Sequence, residues 1–374
     1  MNISNENVQP ASLQHGVRTD VLTFPWMFGR TFDILFFFVP VLIGIMCFSL
    51  SQWSAVSGSA FWLFLVLDAF GAGPFHFGPT WFAYFDKKNR EHWGSERKKK
   101  IIFFLAPVLL IVGTTLTFMY EPYGIVVLLI TIWAIQHLVQ QNIGILLLYH
   151  NQGKNEAIVN RQLEMRSQQF PAVLFSLLFF HRIFLNSPQG VGWVIFFSLV
   201  GVWAAIPVVR YLMEMRNQVR EGATVNVPAL TFWAISVTTM IPFAFIGKTF
   251  NEAWIIPVTV HWFQYIGLNY AMVKKKYASD SPLRQDLPKI SPMVLFFATC
   301  IGLLVAAIVI MPVGTAVFKS NPFIAKMLTG IWLGVTACHY FLDAFLWRFR
   351  EAHARQSILP HLMSYRKAPA PAKP

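Results

Sequence analysis

FIAKMLTGIWLGVTACHYFLDAFLW, residues 323–347, is an apolar run that carries a histidine and an aspartate, His339 and Asp343, one helical turn apart near its end. A hydrocarbon core of ~30 Å is crossed by about 20 apolar residues in a helix, so the run reads as a membrane span. Lipid does not explain ionisable groups inside it. Three earlier apolar runs repeat the device, with His76 and Thr80, His137 and Gln141, and His261 and Gln264. The four pairs organise the reading of the whole chain.

Composition supports that class. The 374 residues are 55% hydrophobic and 13% charged, with a mean hydropathy of +0.51, where soluble domains carry about 25% charged residues. Apolar runs occupy 31–51, 60–85, 101–120, 123–149, 171–187, 191–213, 228–248, 253–273, 293–314 and 323–347. The expectation is an all-α, polytopic transmembrane helix bundle of about ten spans, with membrane lipids as its surroundings. It divides into an N-terminal segment 1–30, a helical domain 31–348 and a basic tail 349–374 whose Pro/Ala/Lys end reads as disordered.

The net charge of +13 would also suit a nucleic-acid partner, so the position of the charges decides. Of the 30 Lys and Arg, 26 lie on alternate loops or the two ends, and only Arg182, Lys248, Lys319 and Lys326 lean to the other side. That asymmetry follows the positive-inside rule with both termini cytoplasmic and an even number of spans, as in a multi-pass protein of a bacterial inner membrane. Basic loops separated by whole crossings do not form the single patch that nucleic acid needs, so no nucleic-acid partner is expected. The first 29 residues hold no apolar signal core, and the first span is expected to direct its own insertion. Cys47, Cys300 and Cys338 fall within apolar runs and read as small buried hydrophobes rather than a disulfide framework.

Depth makes the four histidines a set. His76 precedes Lys87 by 11 residues, His137 precedes His150 by 13, His261 precedes Lys274 by 13 and His339 precedes Arg348 by 9. At ~1.5 Å per residue the imidazoles share one layer, about 14–20 Å from the cytoplasmic boundary. His181, on a run of opposite sense, is a possible addition at similar depth. His15, His92, His353 and His361 read as solvated, and His150 as interfacial. Thr80, Gln141, Gln264 and Asp343 lie on the same face as their histidines, where they would orient the rings as supporting partners. Asp68 faces roughly the same interior. Asp33, Gln140 and Asn142 are further polar groups that lipid does not explain.

Neutral imidazole is the commonest metal ligand, and four without cysteine thiolates suit non-haem iron with open positions for O2. Haem b held by two of the four is the competing cofactor, another transition metal a third possibility, and a polar packing or transport network without metal a fourth. No Walker loop, dinucleotide-binding glycine motif or nucleophile elbow is present. Two prolines, Pro74 and Pro79, and Gly71, Gly73 and Gly78 should break the second run around His76. Broken helices are tolerated where they line a cavity, which would suit an apolar small-molecule substrate arriving from the bilayer.

An intramembrane set of histidines on separate helices resembles the Brp/Blh β-carotene dioxygenase family, which implies a four-histidine iron centre and a polyene substrate. The segments around Asp68 to Asp86, His137 to Gly144 and His339 to Arg348 also resemble uncharacterised bacterial polytopic proteins rich in histidine. The chain lacks the paired histidines one turn apart of the carotenoid enzymes, and the HxxHH boxes of membrane desaturases.

Overall fold

Where no water reaches the backbone, each N–H and C=O must be satisfied within the chain, and helices do this locally. The structure, a computed structural model, describes residues 21–53, 73–120, 123–152, 156–188, 190–241 and 245–363. Each of the ten apolar runs contains a helix. Among the described residues the helices of six or more residues are, in chain order, α1 (Arg30–Gln52), α2 (Gly73–Phe82), α3 (Lys87–Gly94), α4 (Arg97–Tyr120), α5 (Tyr123–His150), α6 (Arg161–Phe179), α7 (Val191–Arg220), α8 (Val227–Thr238), α9 (Phe250–Lys276), α10 (Pro292–Ile308), α11 (Pro322–Leu346) and α12 (Ala352–Ser357). The fold is all-α apart from two-residue strands, β1 (Leu22–Thr23) and β2 (Val225–Asn226), which pair in parallel.

Among the described residues, five helices, Arg30–Gln52, Arg97–Tyr120, Gly124–His150, Val191–Arg220 and Pro292–Met311, are long and apolar enough to cross a membrane. The chain is therefore built as a membrane protein. α7 turns Val191, Val194, Leu199 and Val202 outward, as a lipid-facing helix does. α9 and α11 reach 27 and 25 residues, and what makes them less apolar is the set of polar groups described below. α8 has 12 residues, and the rest of its apolar run is described at 239–241 and 245–248. α6 begins ten residues before the expected run, at Arg161, with a polar first half. The run 60–85 is described only from Gly73 onward, so Asp68 and Gly71 lie outside the described residues.

α9 is the hub, packing against α1, α2, α5 and α10. α11 packs along α4 and also touches α2 and α5. Close approach fixes the second of these contacts. A Cβ on Gly330 or Gly334 would sit 2.8 or 2.6 Å from the Cα of Thr115 or Ile111 on α4, the small-xxx-small packing that lets helix backbones meet. α2 is held similarly, since a Cβ on Gly78 would lie 2.5 Å from Cys300 Cα on α10.

The end of α2 is tied to the end of α9 by a buried ion pair. Asp86 caps α3 by accepting from the Lys88 and Asn89 amides, and its other oxygen takes Lys276 Nζ at 2.8 Å and the Tyr277 hydroxyl. Both charged side chains are almost fully buried. Burial alone would raise the Asp86 pKa, but the Lys276 ammonium and the hydrogen bonds from Lys276 and Tyr277 outweigh it and hold the carboxyl below its usual range. A depressed folded-state pKa contributes stability above the unfolded value and loses it as pH falls through the folded one. Removing one partner of a buried pair costs about 3–5 kcal/mol. Lys276→Met is thus expected to lower the thermal midpoint in detergent well below that of the double variant Asp86→Asn/Lys276→Met. Equal losses in the two would show that the pair does not hold α2 against α9.

Candidate metal centre

The four histidines meet. His76 stands on the first turn of α2, His137 in the middle of α5, His261 in the middle of α9 and His339 in the last third of α11. Ring centroids are 5.2 Å apart for His76 and His261, 4.9 Å for His261 and His137, 5.0 Å for His137 and His339, and 4.7 Å for His339 and His76. The rings close a quadrilateral in the order in which their helices pack, α2 to α9 to α5 to α11 and back to α2. Neighbouring rings stand nearly edge to face, with interplanar angles of 70–88°. His76, His261 and His339 are buried, and His137 is nearly so.

Beneath the rings lies a hydrogen-bonded cluster. Thr80 and Tyr265 both donate to Asp343 Oδ1 at 2.8 Å, and Thr80 Oγ1 is 2.7 Å from His339 Nδ1. With its proton committed to the carboxylate, Thr80 can only accept from His339. His339 therefore carries its proton on Nδ1 and its lone pair on Nε2. His76 is fixed the same way, because its Nδ1 contacts the Gly73 carbonyl, which only accepts; its lone pair is on Nε2. Among the described residues, neither nitrogen of His261, nor Nε2 of His137 or His339, has a hydrogen-bond partner. Asp343 Oδ2 is also without a hydrogen bond and stands 3.9 Å from His137 Nε2.

Candidate ligand atoms of His76, His261 and His339 all lie within 4.8 Å of one another, as do those of His137, His339 and Asp343. The two groups share His339 and together span all four histidines and one carboxylate. A cavity of about 230 Å³ adjoins the layer, lined by His76, His137 and His261. Its other walls include Trp254 and Trp332, two turns before His261 and His339, and Phe77, Trp262 and Tyr340, each the residue next after a histidine.

The supporting residues differ from the sequence expectation in partner more than in place. Thr80 joins the site but binds His339 and Asp343 rather than His76. Asp343 reaches His339 through Thr80, since its own Oδ1 is 3.8 Å from Nδ1, and its free oxygen makes it a candidate ligand. Gln141 donates to the backbone carbonyl of His261 at 3.2 Å, and Gln264 reaches the Phe37 carbonyl at 3.5 Å. Neither orients a ring, because in each case a backbone carbonyl of a neighbouring helix lies closer to hand. His181 packs against Trp193 and Phe197 of α7, apart from the four. His150 binds Glu164 at 2.6 Å. His92 and His353 are not separately solvated but stack face to face at 4.0 Å. Gly78 packs against α10 and opens no cleft for a porphyrin.

Tyr265 is the residue that sequence reasoning missed. It lies four residues after His261 and touches the rings of His76, His261 and His339. The signal was there in its spacing. No family model, curated protein or solved structure matches the chain.

Leaving a buried donor or acceptor unpaired costs about 1–3 kcal/mol. Thr80→Val keeps the shape of the side chain and removes its bonds to His339 and Asp343, so it should destabilise the folded protein by about that amount. Thr80→Ser should restore most of it. Thermal unfolding in detergent checks this, and a neutral Thr80→Val would mean that the cluster does not stabilise the site.

Proposed function

We propose that the chain is a multi-pass membrane metalloprotein in which His76, His137, His261 and His339 hold one transition metal, with Asp343 Oδ2 beside it. The observation that carries the reading is the closed ring of four imidazoles, in which ring nitrogens of His137, His261 and His339 lack hydrogen-bond partners among the described residues. Each unpaired nitrogen is costly in an apolar interior, and one shared cation would satisfy them together. Thr80, by fixing the His339 tautomer, has the role that carboxylates and carbonyls play behind metal-bound histidines.

Iron is the metal we favour. Imidazole and carboxylate suit several divalent metals, but a coordination side that faces an apolar cavity suits a centre that activates O2. Bound there, non-haem iron would supply the electrons and the open position for oxygen chemistry on a lipid-soluble substrate. The cavity, with aromatic walls, would hold the apolar part of a polyene, isoprenoid or acyl chain. This agrees with the resemblance to the Brp/Blh β-carotene dioxygenase family. Haem is the weaker occupant, because a porphyrin between two of the histidines would need the space where the other two stand. The ten apolar runs and the one-sided basic loops support ten spans with both ends in the cytoplasm of a bacterial cell.

Metal analysis of protein purified in detergent tests the reading. About one iron per chain is expected, with loss of most of it in His261→Ala and His339→Ala, and with no Soret band. A well-folded sample that holds no iron, copper or zinc after growth or reconstitution with each would overturn it.

A further inference from the structure

The layer of histidines has a second side. A pocket of about 60 Å³ opens at the end of the bundle that carries the basic loops, between α3, the C-terminal ends of α9 and α11, and α12. It reaches inward to Pro79 and Tyr265. Tyr265 is thus shared, lining this vestibule with one edge while its ring touches three of the four imidazoles and its hydroxyl binds Asp343. A space of this size takes a few waters and is too small for a lipid-derived substrate.

The two sides also differ in chemistry. The apolar cavity has aromatic walls and, besides the histidines and tryptophan side chains, the hydroxyls of Tyr340 and of Thr336, which is bonded to its own helix at the Trp332 carbonyl. The vestibule sets Asn89, His92, Asn269, Glu351 and His353 into otherwise apolar walls. Its two lysines are neutralised, Lys99 by Glu96 at 2.6 Å and Lys276 by Asp86 at 2.8 Å. His353 is ready to act as a ligand. Asn89 donates to the Ala83 carbonyl through Nδ2 and so accepts from His353 Nε2 through Oδ1 at 2.9 Å. That leaves the His353 lone pair on Nδ1. Burial, with the neighbouring His92 and Lys276, pushes its pKa down to about 4.

We infer that metal ions enter the four-histidine site through this vestibule, handed inward from the stacked His92 and His353 past Tyr265, while the apolar cavity on the opposite side is kept for the substrate. The inference rests on the metal-binding reading and adds a direction to it. A hydrated cation that came to the aromatic cavity through lipid would lose its water before reaching a ligand, which is costly. The vestibule offers water, imidazole and carboxylate along the way.

Uptake of Co(II) by chelator-stripped protein in detergent, followed by the visible absorption of the bound ion, tests the route. Ala354→Trp, which fills the vestibule, should slow uptake tenfold or more and leave the final stoichiometry unchanged. The double variant His92→Ala/His353→Ala should slow it severalfold, and it keeps the test available where Ala354→Trp does not fold. Ala134→Trp, which narrows the apolar cavity, should load at the wild-type rate. Wild-type uptake with rates that ignore the vestibule variants, or that fall only in Ala134→Trp, would overturn the route alone. Wild-type protein that takes up no cobalt would overturn the metal reading and the route with it.

Discussion

A carboxylate is tolerated among apolar helices only when donors are brought to it, and Asp343 draws one from each of two other helices. Thr80 comes from α2 and Tyr265 from α9, and Thr80 in turn meets His339 on α11. In all three helices the histidine stands four residues before the member of this cluster: His76 before Thr80, His261 before Tyr265 and His339 before Asp343. Four residues advance a helix by about 6 Å and return it to nearly the same face. The cluster is therefore a second layer one turn below the rings. Setting the depth and rotation of three helices at Asp343 sets three imidazoles one turn away. α5 is placed differently, through the bond from Gln141 to the His261 backbone.

This two-layer construction explains what could be read from the chain alone. The depth of the histidines follows from counting residues back to the basic loops, and the face of each helix follows from the i+4 relation. Those two quantities located His76, His137, His261 and His339 and singled out Thr80 and Asp343. Partners were not legible, because a residue's face says which interior it meets and not which helix crosses there. Gln264 stands out in the sequence because an amide is the more obvious companion for a ring nitrogen. At i+3 it turns away on one side of His261 and meets α1, while Tyr265 at i+4 stays below the ring. The stack of His92 on His353 joins positions 261 residues apart, and nothing local to either announces it.

Hydropathy over 228–248 is continuous, and α8 covers the first part of that run, packed on α5 and α6. An apolar run states that a segment avoids water and leaves open which helices it packs on.

Close packing then gives the site its asymmetry. Gly330 and Gly334 bring α11 against α4 on the side of the cavity, and Gly78 brings α2 against α10 just past His76. With these contacts drawn tight, the space left among α2, α5, α9 and α11 lies beside the histidines and on the side that precedes them, with Trp254 and Trp332 among its walls. After the histidines the same helices are pulled together by Asp343 and, farther along, by the pair of Asp86 and Lys276. Apolar space and polar closure thus fall on opposite faces of one imidazole layer. On the proposed reading, that separation would let a single centre meet a lipid-soluble molecule on one side and the aqueous phase on the other.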